Sequence, residues 1–407
     1  RSISLAGSSK QKKIVGSTVY TIAGGLLMNG VLQAVVYPLL NRQMGSEPLG
    51  ALLFIMGVLG ILSPSVGQAL NTSRLVVRRT SDVTNGDYNT LLLVFGVIGG
   101  VITLIICRTS FGNAGAAAAT FVLLMLMIFR YYGDVEYRLS LHYEKYFIYY
   151  AVLTAGYLVG FALYYVTKIW FFIFIVGEGA ALIYLTVTGS VFKNFLVRSR
   201  YFRTAAERGT FLMFSYVITN LTLNIDRLAL KFLIDDLAVT KYYVASLLGK
   251  TLILLVTPVN TIIISFLTKR KKELDKREYL MFVGAGAGVA AAFFAAIQIA
   301  APIFLKIFYP NLLEDVRPIL MTVNLSQIMG LYSAYLFVVV LTFTEEKWQM
   351  ILQIAHLIII AVLVTVMTGA GSIEGFAGAV LAANTIRVLA VTLFGFIMNG
   401  RSKAAGK

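Results

Sequence analysis

Asp226, Arg227, Lys250, Arg387, Glu178 and His356 stand in stretches otherwise built of leucine, isoleucine, valine, alanine and glycine. Ionisable groups in such surroundings can do three kinds of work. An acid and a base can lock two helices together, a carboxylate can take up a proton or a metal cation, and a guanidinium or ammonium can hold a phosphate. A charge at the centre of a bilayer costs at least about 2.5–3.5 kcal/mol, so each of these groups needs a partner or a wet cavity. Other chemistries are poorly served. One cysteine, Cys107, leaves no internal disulfide, and two histidines far apart in sequence, His142 and His356, leave no metal cluster. No metal or other cofactor is expected.

The elements that must position these residues are membrane spans. The chain has 407 residues, 58% of them hydrophobic and 13% charged, with a mean hydropathy of +0.81. Soluble domains carry about a quarter charged residues, so the composition predicts an all-α, multi-pass integral membrane protein. Runs of roughly 20 apolar residues, the length a helix needs to cross the hydrocarbon, occur at 14–40, 49–70, 90–107, 114–132, 147–166, 169–190, 210–233, 242–267, 279–306, 318–343, 348–369 and 374–399. Twelve spans are therefore expected. The sequence begins with Arg1 rather than Met, which leaves room for a segment upstream.

The net charge of +16 would suggest nucleic acid in a soluble protein, but its placement gives another meaning. The two termini and the loops after the even-numbered spans hold 25 of the 35 basic residues. Lys and Arg concentrate on the cytoplasmic side of membrane proteins, so both termini are expected there. The runs "RSRYFRTAAER" (198–208) and "KRKKELDKR" (269–277) become cytoplasmic loops near anionic lipid, with no nucleic acid as partner. By this count Arg227, Lys250 and Arg387 remain as basic residues inside the spans. The loops on the other side are too short to form a domain.

The two halves share a plan. "MNGVLQAVVYPLLNRQMGSEPLGALLF" (28–54) and "LNIDRLALKFLIDDLAVTKYYVASLLG" (223–249) each carry an asparagine at the second position, a helix end, a short polar turn and a new helix. Asn29 and Asn224 are 195 positions apart, Pro64 and Pro258 194. Six spans per half make this a parallel 6 + 6 repeat: a lobe over 1–197, a second over 198–407, and a cytoplasmic linker near 191–209.

On a helical wheel Asn220, Asn224, Arg227 and Lys231 fall within about 60° of one another, while Asp226 lies about 100° from Arg227. Asp226 and Lys250 come at comparable depths on consecutive spans. Asp226 either pairs with Lys250 or Arg227 to lock the two helices, or faces a cavity. Arg227 and Arg387 have no acid at matching depth on an adjacent span, which favours a cavity. Asn29 and Gln33 make a polar stripe on the first span. Glu178, between Gly177 and Gly179, reads either as an ion site or as a helix-packing position, and His356 as a hydrogen-bonded residue between helices. Three buried bases against two buried acids leave a mildly cationic interior.

The stretch "NLTLNIDRLALKFLIDDLAVTKYYVASLLGK" (220–250) resembles the seventh and eighth helices of bacterial polysaccharide exporters, in its Asp226-Arg227 pair, short turn and Tyr243 to Ala245 run. These are the oligosaccharide-lipid flippases of the multidrug/oligosaccharidyl-lipid/polysaccharide (MOP) superfamily. "YPLLNRQMGSEPLGALLF" (37–54) resembles the family's turn after the first helix, with Leu49 where an aromatic is common. The resemblance implies a V-shaped pair of six-helix lobes in a bacterial cytoplasmic membrane, carrying an undecaprenyl-diphosphate-linked oligosaccharide by alternating access. Its partners would be that lipid-linked oligosaccharide, membrane lipids and the polysaccharide polymerase machinery, with the transporter itself a monomer. On that reading Arg227, Lys250 and Arg387 surround the diphosphate. Asn29, Gln33, Asn220 and Asn224 serve sugar hydroxyls, and Asp226 and Glu178 are candidates for a coupled proton or sodium ion.

Three alternatives remain. A multidrug cation antiporter of the same superfamily would favour acids in the cavity. A major-facilitator transporter would carry a Gly...Asp-Arg-Gly-Arg-Arg pattern after the second span, where "NTSRLVVRRTSDVTNGD" (71–87) supplies only Arg78-Arg79. A polysaccharide polymerase or ligase, the enzyme alternative, would need a substantial outer loop.

Overall fold

The computed structural model describes residues 19–111, 114–270, 274–369 and 371–401. The terminal segments counted above as cytoplasmic, and residues 271–273 of the basic run, lie outside these. Among the described residues every regular element is a helix. This is the expected solution in hydrocarbon, where each backbone N–H and C=O has to be satisfied within its own segment.

In chain order the helices are α1 (Val19–Met44, with a π-helical turn at Leu32–Val36), α2 (Ser46–Val77), α3 (Asn85–Phe111), α4 (Ala114–Gly133), the short α5 (Val135–Leu139), α6 (Tyr143–Thr167) and α7 (Phe171–Thr188). They continue with α8 (Phe202–Leu233), α9 (Asp236–Thr251), α10 (Ile253–Leu267), α11 (Lys276–Phe308), α12 (Leu313–Phe343), α13 (Glu346–Thr368) and α14 (Ile373–Arg401). Among the described residues ten candidate membrane spans are long and apolar enough to cross a bilayer. The other two expected spans differ for separate reasons. At 32 residues α8 is about 48 Å long, but Asn220, Asn224, Asp226, Arg227 and Lys231 make it too polar to count among them. The run 242–267 is divided at Leu252 into α9 and α10, of 16 and 15 residues, each short of a full crossing.

The described helices gather into two compact units, one of the residues up to 40 and 55–224, the other of 41–54 and the residues from 225 on. In the first unit α6 and α7 pack closely, because glycines let their backbones meet. A Cβ on Gly156 would stand 2.6 Å from the α-carbon of Gly177, and one on Gly177 would stand 2.2 Å from the Tyr157 ring. Gly177 is thus a close-approach glycine, whereas Gly179 faces open space. Replacing Gly177 with alanine is expected to displace the buried Tyr157 ring and to destabilise the protein by about 1–3 kcal/mol, read as a lowered midpoint of thermal unfolding in detergent.

In the second unit α12 is central, packing against α9, α10, α11 and α14, while α13 packs on α14. The turn joining α1 to α2 belongs to this unit. Asn41 donates to the Asn311 side-chain oxygen at 3.0 Å, Ser46 donates to Asn41 at 2.9 Å, and Thr240 donates to the Ser46 carbonyl at 2.6 Å.

The two asparagines matched in the sequence make the same local bond. Asn29 donates to the Gly25 carbonyl at 2.9 Å and Asn224 to the Asn220 carbonyl at 3.0 Å, the same bond one helical turn back. The turns are less alike. After Asn29 the chain turns at Gly45 (φ +91°), and after Asn224 it turns already at Ile234, so α1 runs further beyond its asparagine.

Candidate substrate site

Two sets of buried or half-buried charges stand out, one in each unit, and they are built differently. In the second unit the last third of α8 presents Asp226, Arg227 and Lys231. Asp226 is buried and forms an ion pair with Lys250 of α9 through one carboxylate oxygen. Its other oxygen, Oδ1, is buried and accepts no hydrogen bond. Arg227 points elsewhere, as the 100° step along a helix dictates. Its guanidinium lies over the Tyr243 ring, 5.0 Å from the centroid, and its buried Nε donates to nothing. Lys231, one turn further, pairs with Asp236 at the start of α9.

Arg387 is on α14, a helix placed by its packing on α12. Asn384, one turn earlier, donates to the Ser326 carbonyl at 2.9 Å and to its hydroxyl at 3.1 Å. Arg387 lies 5.8 Å from the Phe337 ring centroid and close enough to His356 of α13 to act on it electrostatically. Among the described residues neither Arg227 nor Arg387 has a carboxylate within ion-pair distance. His356 is buried and its Nδ1 has no hydrogen-bond partner. Asn324, fully buried on α12, leaves both amide atoms unpartnered. A guanidinium without a carboxylate in reach inside a membrane helix can serve an anion, because arginine can grip phosphate oxygens with two parallel hydrogen bonds.

The structure thus brings Asp226, Lys250 and Arg227 together on α8 and α9, and sets Arg387 beside Phe337 and His356. The residues expected to serve sugar hydroxyls belong to the first unit. Asn29 and Asn224 spend an amide hydrogen on their own helices, and Asn220 donates to the Ser65 hydroxyl at 3.2 Å. Gln33 lies in the π-helical turn of α1. A π turn is a rare interruption found frequently at functional sites.

Glu178 is held on both sides. Arg130 of α4 donates through Nε to Oε2 at 2.6 Å, and Tyr157 of α6 donates to Oε1 at 2.9 Å. The Arg130 guanidinium also stacks 4.1 Å from the Tyr131 ring centroid, and the Tyr149 hydroxyl donates to the Arg130 carbonyl at 3.3 Å. This network joins α4, α6 and α7.

Sequence reasoning missed Arg130 and Arg74, which it placed with the cytoplasmic flanks. Both are buried within helices. Arg74 donates to the Tyr132 hydroxyl at 2.6 Å and to the Asn85 side chain. Asp134, also buried, accepts from Asn71 and pairs with Arg138 at 3.1 Å. The only signal in the sequence was that Arg130 falls inside the apolar run 114–132. Three buried bases is therefore too few for the whole chain. The first unit adds Arg74 and Arg130, the former tied to hydroxyl and amide oxygens and the latter to Glu178. Among the described residues Arg227 and Arg387, both half-buried, have no carboxylate in ion-pair reach.

No protein-family model and no curated protein matches the chain. Solved structures do. A MATE transporter in complex with MaD5 is 16% identical, covers 97% of each chain and superposes with a TM-score of 0.65. This chain has the fold of that MATE structure. An inward-facing multidrug resistance MATE family transporter of that superfamily is 14% identical over 96% of each chain, with a TM-score of 0.60. A MOP superfamily transporter from Pyrococcus furiosus, described as having a binding pocket of reverse polarity that suggests a different function, is 15% identical over 96% of each chain, with a TM-score of 0.62. The MOP-type fold is common to all three, and the likeness to the polysaccharide-exporter branch rests on the two sequence patches alone.

Proposed function

We propose that this protein is a membrane transporter, not an enzyme, and that its cargo carries negative charge. The observation that supports an anionic cargo is the pair Arg227 and Arg387, two arginines on long helices with no carboxylate in ion-pair reach among the described residues. A cationic drug would be repelled by both, whereas a diphosphate would find two guanidinium groups with no carboxylate of the protein in ion-pair reach. The finer reading is translocation of an undecaprenyl-diphosphate-linked oligosaccharide across a bacterial cytoplasmic membrane, with the lipid tail left in the bilayer. Asp226 and Glu178 are offered as sites for a coupled proton or sodium ion.

A second reading, multidrug extrusion, draws more support from the comparisons, since two of the similar structures are described as multidrug resistance MATE family transporters. The third neighbour, with its pocket of reverse polarity, supports a different cargo on the same fold.

One experiment separates the two. Under the anionic reading, Arg227→Ala and Arg387→Ala each abolish complementation of a strain lacking its oligosaccharide-lipid flippase, with membrane expression unchanged. Normal complementation by both variants, or drug resistance conferred by the unaltered protein without complementation, would overturn it.

A further inference from the structure

Between α7 and α8 the chain does not form a slack loop. Residues 189–201 are strapped across the start of α3 by four anchoring side chains. Asn85 donates to the Ser190 carbonyl at 2.8 Å and to the Lys193 carbonyl at 3.0 Å, and Asn89 donates to the Val191 carbonyl at 3.1 Å. Thr84 donates to the Val197 carbonyl at 2.9 Å. Asp87, fully buried, accepts from the Ser199 N–H and from the Ser199 hydroxyl, both at 2.7 Å. A Cβ on Gly86 would stand 2.1 Å from the Val197 carbonyl oxygen, so the strap lies directly on the α3 backbone and only glycine fits there.

The inner face of the strap is spent on these bonds, and its outer face is cationic and apolar at once. Lys193, Arg198 and Arg200 are exposed, as are Arg78 and Arg79 just after α2. Among the described residues none of the five has a carboxylate within ion-pair distance. Residues 189–201 contain no acid, and of the exposed acids next in sequence, Asp82 makes no ion pair with a described residue and Glu207 is held by Arg203. Between the cations Leu196 and Val197 are 59% and 61% exposed. Because α2 ends, α3 begins, α7 ends and α8 begins around this segment, it sits where long apolar helices leave the hydrocarbon.

We propose that the strap over residues 190–201, with Arg78 and Arg79, is a platform for the phosphate headgroups of anionic phospholipids. Lysine and arginine bind the phosphates, and Leu196 and Val197 enter the boundary of the acyl chains. A flexible basic loop would attract anionic lipid diffusely, whereas a strap pinned by Asp87 and the two asparagines holds its cations in a fixed pattern. A soluble phosphate compound would have no use for the apolar side chains, which is why a lipid is assigned.

The test uses the full chain in nanodiscs made from phosphatidylcholine mixed with phosphatidylglycerol. The lipid that remains bound after extraction is measured by mass spectrometry. Phosphatidylglycerol is expected to be enriched, and each neutralised cation among Lys193→Gln, Arg198→Gln and Arg200→Gln to lower the enrichment about fivefold, equivalent to about 1 kcal/mol per basic residue at an anionic surface. Asp87→Ala provides the opposite control. It makes the protein more cationic, so simple charge attraction would raise the enrichment, but unpinning the strap is expected to lower it. Lys306→Gln, an exposed lysine in the second unit, is expected to change nothing. The proposal is overturned if phosphatidylglycerol is not enriched, or if Lys306→Gln lowers enrichment as much as the strap variants. It is also overturned if inorganic diphosphate competes the lipid off at the concentration that saturates a simple phosphate site. Should Asp87→Ala fail to fold, the three glutamine variants, whose side chains are exposed, still decide it.

Discussion

Replacing Glu178 with alanine is expected to cost about 3–5 kcal/mol of stability, the range found when one partner of a buried ion pair is removed. Arg130 and Glu178 are 3% and 1% exposed, and among the described residues the Arg130 side chain has no second acid within ion-pair distance. The substitution would strand a guanidinium among α4, α6 and α7 and would take the acceptor away from the Tyr157 hydroxyl as well. Apolar replacement of both members behaves differently, because a well-packed hydrophobic pair often equals or exceeds a buried ion pair. The double variant Arg130→Met/Glu178→Leu is therefore expected to recover most of the loss. Reversible unfolding in mixed micelles measures both. A single variant that loses less than about 1 kcal/mol, the value for an exposed pair, would show that water or lipid headgroups reach the site. A double variant no better than the single would show that the network, not the charge, is what counts.

The second large effect is expected at Asp226 and Lys250. Asp226→Asn leaves an ammonium without its carboxylate, and Lys250→Gln leaves a carboxylate whose Oδ1 already lacks a partner. Each is expected to destabilise by about 3 kcal/mol. The double variant Asp226→Asn/Lys250→Gln, which can exchange one ion pair for an amide–amide bond, is expected to regain at least half of the summed loss, a coupling within the range for residues in contact. Additive losses in the cycle would mean that the pair does not form in the membrane. The same three proteins assign Lys250 a role. Transport restored together with stability in the double variant makes Lys250 the partner of Asp226, and transport still lost makes it a ligand of the cargo.

The sequence made some of this legible because helical geometry is local. Periodicity alone turns Asp226 and Arg227 away from each other, and depth along consecutive spans brings Asp226 level with Lys250, with which it forms an ion pair. The common asparagine of the two halves was visible for the same reason, since its hydrogen bond reaches only one turn back. What remained hidden depends on distant partners. Arg130 obeys the positive-inside pattern whether it faces water or Glu178, 48 residues further on, so a charge count cannot tell a flank from a buried pair. Asn85, Asp87 and Asn89 look like an ordinary polar helix start, and only the strap that crosses them, more than 100 residues later in the chain, shows what they hold. The interruption at Leu252 is not marked by a glycine or proline there, and the run continues apolar for four residues beyond it, so hydropathy alone reads it as one span.

The polarity of α8 bears on how the chain enters the bilayer during synthesis. Asp226 and Arg227 together raise the cost of inserting this helix by about 5–7 kcal/mol at mid-membrane depth, roughly what a dozen leucines return. A helix so balanced is not committed to the membrane when it leaves the ribosome alone. Its partner follows after a turn of only two residues, Ile234 and Asp235, and brings Lys250 to neutralise Asp226. The unit of insertion is then the hairpin of α8 and α9, and a ribosome stalled before Lys250 would leave α8 at the membrane surface.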